Sequence, residues 1–391
     1  KPIKGLIFMT IGVVSHQVTS MTSDEFMLKY SFVVFDECHV GSNGKQFKKL
    51  REKFVDTPCL KVSGTAYDQI CEYSDSNRFV YSYFESVMHI RVLGSGAGGG
   101  FPQWNCNCEN CNGLRTHSIK SSSRTQSSIT VSSNSVDWIL FNASPDIRAQ
   151  IESFPPLQPV RKIRDTGISS IILCDGQIDH TTGLLILREH DKPWDIYCTK
   201  SVYDDMTTGY PIFNILGYFR GVNWHEVSTD QKPYTIPKAD NLIFTAVPLK
   251  SEAPPYSPHR HNTVPGDNVG YRVEDTQTGK NLFYAPGLGV IEDHVLEYMA
   301  NADVILVDGT VWTNDEMSRH GINNKLASEM GHLDQSSKGG IMETLSSLKK
   351  PRKILIHINN TNPILREDSP ERKILNDHNI EVSYDGMDII I

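Results

Sequence analysis

The 391-residue chain has no run approaching the roughly 18 to 20 consecutive apolar residues of a bilayer-spanning helix, so no such helix is expected. Positive charge is also scarce. The 38 Lys and Arg stand against 46 Asp and Glu, a balance that argues against a dedicated binder of nucleic acid or anionic membrane. Cysteines number only 8, and no charged segment leads into an apolar stretch with a small-residue cleavage site. Neither export nor a disulfide framework is therefore expected. Together these absences point to a soluble globular protein with reduced thiols, working in the cytoplasm. What is present, 39% hydrophobic and 21% charged residues over this length, suffices for two or three domains.

A phosphate-cradling G-x-x-x-x-G-K-[ST] loop is missing too: Gly44-Lys45 and Gly279-Lys280 are followed by Gln46 and Asn281, not by a hydroxyl residue. That absence bears on residues 1–87. There an apolar strand run, Tyr30 to Phe35, ends in Asp36-Glu37-Cys38-His39, and Val62-Ser63-Gly64-Thr65-Ala66 follows. The pair resembles the Walker B and S-G/A-T boxes of superfamily-two helicases. The resemblance implies a partial P-loop-helicase-like α/β segment, with Asp36 and Glu37 matching the acid pair that holds Mg²⁺ and aligns the attacking water. Without the cradle, no NTPase activity is expected. This segment is charge-balanced, with 10 basic and 10 acidic residues, so the net of −8 falls on residues 88–391. Met88 opens a new pattern abruptly, and the domain boundary is placed there, as at a chain start.

From Met88 a short strand, His89 to Leu93, runs into Gly94-Ser95-Gly96-Ala97-Gly98-Gly99-Gly100. Gly94, Gly96 and Gly99 satisfy G-x-G-x-x-G formally, yet Phe101-Pro102-Gln103-Trp104 follows instead of the helix whose N-terminus would hold a pyrophosphate. The glycines are read instead as a loop whose backbone passes close to a substrate or metal site. Next, Cys106, Cys108 and Cys111 form a C-x-C-x₂-C cluster, and three thiols so close in a reducing compartment point to a structural zinc site. Its fourth ligand stays open among His117, Asn360 and other histidines.

Gly167 to Cys174 is an apolar strand that delivers Asp175-Gly176-Gln177-Ile178-Asp179-His180, with Thr181 to Glu189 following in helical period. Metal-type residues at the carboxyl end of a buried strand are where α/β folds carry their chemistry. This segment resembles the H-x-H-x-D-H signature of the metallo-β-lactamase superfamily, with Asp175 and Gln177 at its first two histidine positions and Asp179 and His180 retained. Lys250-Ser251 stands where the superfamily has another histidine, and Ala285-Pro286-Gly287 lacks its bridging aspartate. The resemblance thus implies an αββα sandwich that cannot assemble a dinuclear hydrolytic zinc centre. Three ligand positions remain: Asp179, His180 and His357, the last at the end of the strand Lys353 to Ile356. Two histidines and one carboxylate form a facial triad that suits Fe(II) with open positions for substrate and O₂, and also suits Mn²⁺ or Zn²⁺. Asp175, Gln177, Asp308 and His332 are expected beside this site, as supporting or substrate-contacting residues.

From Met88 to Ile391 the chain closely resembles the pyrroloquinoline quinone (PQQ) biosynthesis B family. The likeness lies in Gly94–Cys108, in Ile178-Asp179-His180-Thr181-Thr182-Gly183-Leu184, in Ser257–Arg260, in Pro265–Gly270, in Met330-Gly331-His332-Leu333 and in Leu355–Leu365. What it implies is work on a small tyrosine-derived or peptide-derived precursor of PQQ, alongside other proteins of that pathway. Iron-dependent hydroxylation of the tyrosine of a Glu-Tyr unit, with O₂ as co-substrate, is one expectation. Non-catalytic carriage of the quinone or its precursor toward the periplasm is the other. The triad favours chemistry, and oligomerisation is left open.

Overall fold

The computed structural model describes residues 87–391 other than His261, and within residues 1–86 the backbone of three short strands. The backbone divides into two compact units, Lys1–Glu85 and Ser86–Ile391. In the first, β1 (Phe8–Thr10), β2 (Val33–Asp36) and β3 (Cys59–Val62) pair in parallel, in that order. Asp36 closes β2, while Glu37, the other half of the acid pair, lies outside the described residues.

The second unit holds two sheets. Its first strands are β4 (His89–Gly94), β5 (Ser128–Ser132), β6 (Trp138–Phe141), β7 (Ile168–Ile172), β8 (Trp194–Cys198) and β9 (Val222–Glu226). They continue as β10 (Leu242–Pro248), β11 (Val269–Asp275), β12 (Asn281–Ala285), β13 (Val304–Asp308), β14 (Arg352–Ile356) and β15 (Ile380–Val382). The last strand, β16 (Asp388–Ile390), returns to pair with β4, so one sheet runs β16-β4-β5-β6-β7-β8-β9 and the other β10 to β15 in chain order.

Side chains alternate across a strand, and that alternation builds the layers. In β6, Ile139 and Phe141 join the core between the sheets, whereas Trp138 and Leu140 pack outward against Ile147, Val202 and Met206 of flanking helices. In β12, Leu282 and Tyr284 face inward, while Phe283 and Ala285 meet Val295 and Met299. Phe141 lies 5.5 to 6.3 Å, ring centre to ring centre, from Phe244, Tyr271 and Tyr284 of the opposite sheet. The result is a four-layer αββα sandwich. Strands buried on both faces read as unbroken apolar runs, which is why they stood out in the sequence.

Two local features differ from expectation. The helical stretch after β7 starts earlier and is broken, into Ile178–Thr181, Gly183–Ile186 and a 3₁₀ turn at Leu187–Glu189. A Cβ at Gly183 would stand 2.2 Å from the Ser144 carbonyl oxygen, so only glycine allows the close pass at the break. The cysteine segment carries a helix, Glu109–Arg115, for which Cys108 is the N-cap.

Candidate metal centre

Strand ends and one loop converge to form the site. β7 delivers Asp175, the short helix after it carries Asp179 and His180, β13 ends at Asp308, and β14 delivers His357. The glycine loop closes the gap between the sheets: Ala97 N–H donates to Ile358 O at 2.9 Å and Ile358 N–H to Ser95 O at 3.0 Å. His357 sits at the turn with φ of 60°, left-handed backbone that a histidine rarely adopts and that recurs at functional sites.

Asp179, His180 and His357 each turn one ligand atom toward the others, all within 4.8 Å. Asp179 Oδ2 is 3.2 Å from His357 Nε2 and 3.8 Å from His180 Nε2. Donor atoms on one face of an octahedral divalent ion, each at about 2.1 Å, stand about 3 Å apart, so the set fits such an ion with small shifts. A second observation agrees. His180 Nε2 is buried without a hydrogen-bond partner, an arrangement that costs free energy unless a cation or water engages it.

Carboxylates behind the histidines fix their rings. His180 Nδ1 bonds both oxygens of Asp175, at 2.8 and 2.9 Å, and Asp175 Oδ1 also accepts from Gln177 N–H at 2.9 Å. His357 Nδ1 lies 2.9 Å from Thr310 Oγ1, whose hydroxyl in turn donates to Asp308 Oδ1 at 2.6 Å. Asp308 Oδ2 accepts from His332 Nδ1 at 2.6 Å and from Leu288 N–H at 2.9 Å. Asp308, His332 and His357 also cluster as metal-type donors. The His332 and His357 nitrogens that face this cluster are already hydrogen-bonded, however, so it is an orienting network.

Burial works against charge on these groups, but their neighbours outweigh it. Desolvation would lower His180, yet Asp175 and then Asp179 push it up to about 9. Desolvation would raise Asp179, yet His180 and His357 hold it below the usual carboxylate range. Asp308 is likewise held low by His332 against its burial. A metal ion entering the triad would displace the proton on His180.

A cavity of about 200 Å³ opens onto the triad, lined among others by Gln177, Asn268, Met330, His332 and Asn359. The Gly98 backbone borders it so closely that an added Cβ would lie 3.3 Å from Asp179 Oδ2, the close pass expected of the glycine loop. Trp104, just beyond, is 85% exposed and neither lines the cavity nor packs beneath the loop. Thr310 and Asn359 escaped the sequence reading. The only signal was a polar residue just after an apolar strand, a pattern shared by many surface loops.

The three cysteines form a separate cluster, with sulfurs within 4.8 Å of one another. Cys108 N–H points to Cys106 Sγ at 3.4 Å and Cys111 N–H to Cys108 Sγ at 3.5 Å. The Asn360 side-chain amide lies 3.0, 3.6 and 3.3 Å from the sulfurs of Cys106, Cys108 and Cys111. His117 is exposed beyond the end of the cysteine helix.

Comparison with known proteins bears on the whole arrangement. Residues 137–358 match the beta-lactamase superfamily domain. Coenzyme PQQ synthesis protein B of Nitrosococcus oceani is 59% identical over 309 residues, covering 78% of this chain and 100% of that protein. The chain belongs to the coenzyme PQQ synthesis protein B family. Its involvement in PQQ biosynthesis follows at that level. The homologue of Stutzerimonas stutzeri is 57% identical over 77% of this chain and 99% of its own. The zinc-bound crystal structure of PqqB from Methylobacterium extorquens superposes with a TM-score of 0.70 at 32% identity, over 77% of this chain and 99% of that one. A diphosphatase of the PhnP family, 18% identical with a TM-score of 0.54 over 78% of this chain and 97% of its own, shares the fold. These matches lend no support to the helicase resemblance of residues 1–87. Among the described residues, no helix is long and apolar enough to cross a membrane.

Proposed function

We propose that this member of the PqqB family hydroxylates the tyrosine ring of a Glu-Tyr-derived precursor in the cytoplasm, as an O₂-dependent step of PQQ biosynthesis. The observation that carries the reading is the convergence of Asp179, His180 and His357 on one cavity, with His180 Nε2 buried and unpartnered. These three residues would hold a ferrous ion, and Cys106, Cys108 and Cys111 a structural zinc ion. When bound, the ferrous ion would supply open coordination positions where O₂ and substrate meet, and an external two-electron reductant would supply the two electrons that, with two protons, carry the second oxygen atom to water.

The protein's part is orientation and proton handling. Asp175 engages Nδ1 of His180 and so directs Nε2 inward, and the Asp308–Thr310 pair does the same for His357. His332 lines the cavity with Nδ1 held by Asp308, so Nε2 is the atom left to accept the phenol proton. Gln177 and Asn359 offer amides to the polar ends of the precursor. A cavity of about 200 Å³ lies below the roughly 300–1,000 Å³ of whole-ligand pockets, so it suits one aromatic ring better than a tricyclic quinone. That size supports chemistry over carriage. Other proteins of the pathway would supply the precursor and take the product. We assign residues 1–87 no part in the reaction.

The test is O₂ uptake by the Fe(II)-loaded chain given a Glu-Tyr peptide and ascorbate as the two-electron reductant, with product mass recorded. Because a triad of this type also accepts zinc, the metal content is fixed beforehand. Uptake with a mass gain of one oxygen atom, lost in His180→Ala and His357→Ala, is the expected result. An iron-loaded chain that leaves the peptide unchanged but binds the quinone would overturn the proposal in favour of carriage.

A further inference from the structure

The loop between β10 and β11 closes over a pair of carboxylates that the metal centre does not use. Asp205 lies on the helix Lys200–Thr207, one turn after Ser201 and on the same face. Asp267 lies across from it, just after the Pro-rich stretch from Pro254 to Pro265. Thr199 Oγ1 donates to Gly266 O at 2.6 Å and Tyr256 OH to Gly176 O, so the loop is fastened both to the start of that helix and to the turn that follows Asp175.

Both carboxylates are buried, Asp205 at 0% and Asp267 at 1% exposure. Oδ1 and Oδ2 of Asp205 and Oδ1 of Asp267 have no hydrogen-bond partner, and Asp267 Oδ2 alone is engaged, by Val264 N–H at 2.7 Å. The two side chains converge. Burial pushes Asp205 up to about 6 and Asp267 beside it adds to the rise, while burial raises Asp267 as well. The Ser257 hydroxyl next to Asp205 and the Ser201 hydroxyl next to Asp267 offset only part of this, and His259 acts on both carboxylates from a distance. A Cβ at Gly176 would stand 3.0 Å from Asp205 Oδ2, and one at Gly266 would stand 3.2 Å from Ser201 Oγ, so bare backbone borders the group on two sides.

Two adjacent carboxylates held away from water without a counter-charge are costly. The donors that face one another here are all oxygens, from two carboxylates and two hydroxyls, which is the set that suits a hard cation. We infer that Asp205 and Asp267, with Ser201 and Ser257, form a further metal site for a hard divalent cation, and that this ion clamps the loop 254–267 onto the helix and the turn after Asp175. Asn268, next in the chain, lines the cavity at the triad, so the clamp supports that wall. Calcium takes roughly six to eight oxygens in irregular arrangements, whereas magnesium keeps several waters, for which so buried a site has little room. Calcium is therefore the better fit.

The full chain, stripped of metal and reloaded with zinc to fill the triad and the cysteine cluster, is titrated calorimetrically with Ca²⁺ and, separately, with Mg²⁺, and its thermal midpoint is followed. Tb³⁺ luminescence excited through tyrosine gives an independent reading, because Tyr256 borders the site. One Ca²⁺ per chain is expected, with a midpoint that rises with Ca²⁺ concentration and responds less to Mg²⁺. Asp205→Asn and Asp267→Asn keep the side-chain shape, yet each should weaken Ca²⁺ by about ten-fold or more and remove the sensitised Tb³⁺ signal. Asp179→Asn, at the triad, should leave Ca²⁺ affinity unchanged. A stronger response to Mg²⁺ than to Ca²⁺ would support the site and overturn the preference for calcium. No saturable binding of either ion by the parent chain would overturn the proposal, and an Asp205→Asn chain at least as stable would then show that the pair shares a proton. Binding that survives both substitutions would overturn it as well, because the ion would sit elsewhere.

Discussion

Asp175 accepts from His180 Nδ1 through both carboxylate oxygens, which fixes the ring plane as well as the tautomer. Asp175→Asn replaces one acceptor with a donor, so the ring loses that fixation while the triad atoms remain. Fe(II) affinity should then fall about 10- to 100-fold, as chelator competition would show, and wild-type affinity in this variant would refute the role. Glu316 makes a different prediction. It is 3% exposed, and burial pushes it from 4.5 up to about 7, although Thr361 Oγ1 and Trp312 N–H donate to it at 2.5 and 2.6 Å. The folded state therefore binds this proton more tightly than the unfolded chain. Stability should fall as pH rises from about 4.5 to about 7, with no further change from this group above that. Glu316→Gln should remove up to about 3 kcal/mol of that slope, so an unchanged pH dependence of the urea midpoint would contradict the assignment. The residues at strand ends, Asp179, His180 and His357, were legible because each closes an apolar run or its turn. Thr310 was not, since its role depends on β13 and β14 lying side by side, a pairing no local pattern specifies.

At the scale of elements, the alternation within each strand decides which face meets which layer. Phe141 joins the inter-sheet core with Phe244, Tyr271 and Tyr284 around it, whereas Leu140 beside it packs outward on the helices. Removing the Phe141 ring leaves a void that sheets pinned by backbone bonding cannot close. Phe141→Ala should thus cost about 3–5 kcal/mol in denaturant titration, and a loss under about 1 kcal/mol would mean the sheets are not packed through this residue. The strands were legible because burial on both faces leaves them uniformly apolar. The stretch after β7 misled for a related reason. Its apolar spacing fits one continuous helix, but Gly183 N–H donates to Ala143 O at 2.8 Å and so leaves the helical ladder, a bond between segments far apart in sequence. The cysteine helix was hidden too, because Cys108 caps it through sulfur, outside the Ser, Thr, Asp and Asn pattern that marks helix starts.

Across the second unit, the two ends close on each other. Met88 N–H donates to Ile391 O at 3.0 Å and Ile391 N–H to Met88 O at 3.1 Å, while Met88 is buried in the core between the sheets. The sandwich resemblance carried in Gly94–Cys108 and Leu355–Leu365 reached this level, but the pairing of β16 with β4 was out of reach, because Asp388–Ile390 is too short to read as a strand. The closure leads to the last prediction. A chain of residues 88–391 would retain every strand of both sheets, all three metal-type clusters and the closing Met88–Ile391 pair. We expect it to unfold in one cooperative transition and to bind Fe(II) at the triad with the affinity of the full chain. Starting instead at residue 95 removes β4, with it the pairing partner of both β5 and β16, and should abolish folding. Loss of solubility or of Fe(II) binding in the 88–391 chain would show that residues 1–87 are needed for folding or for the site.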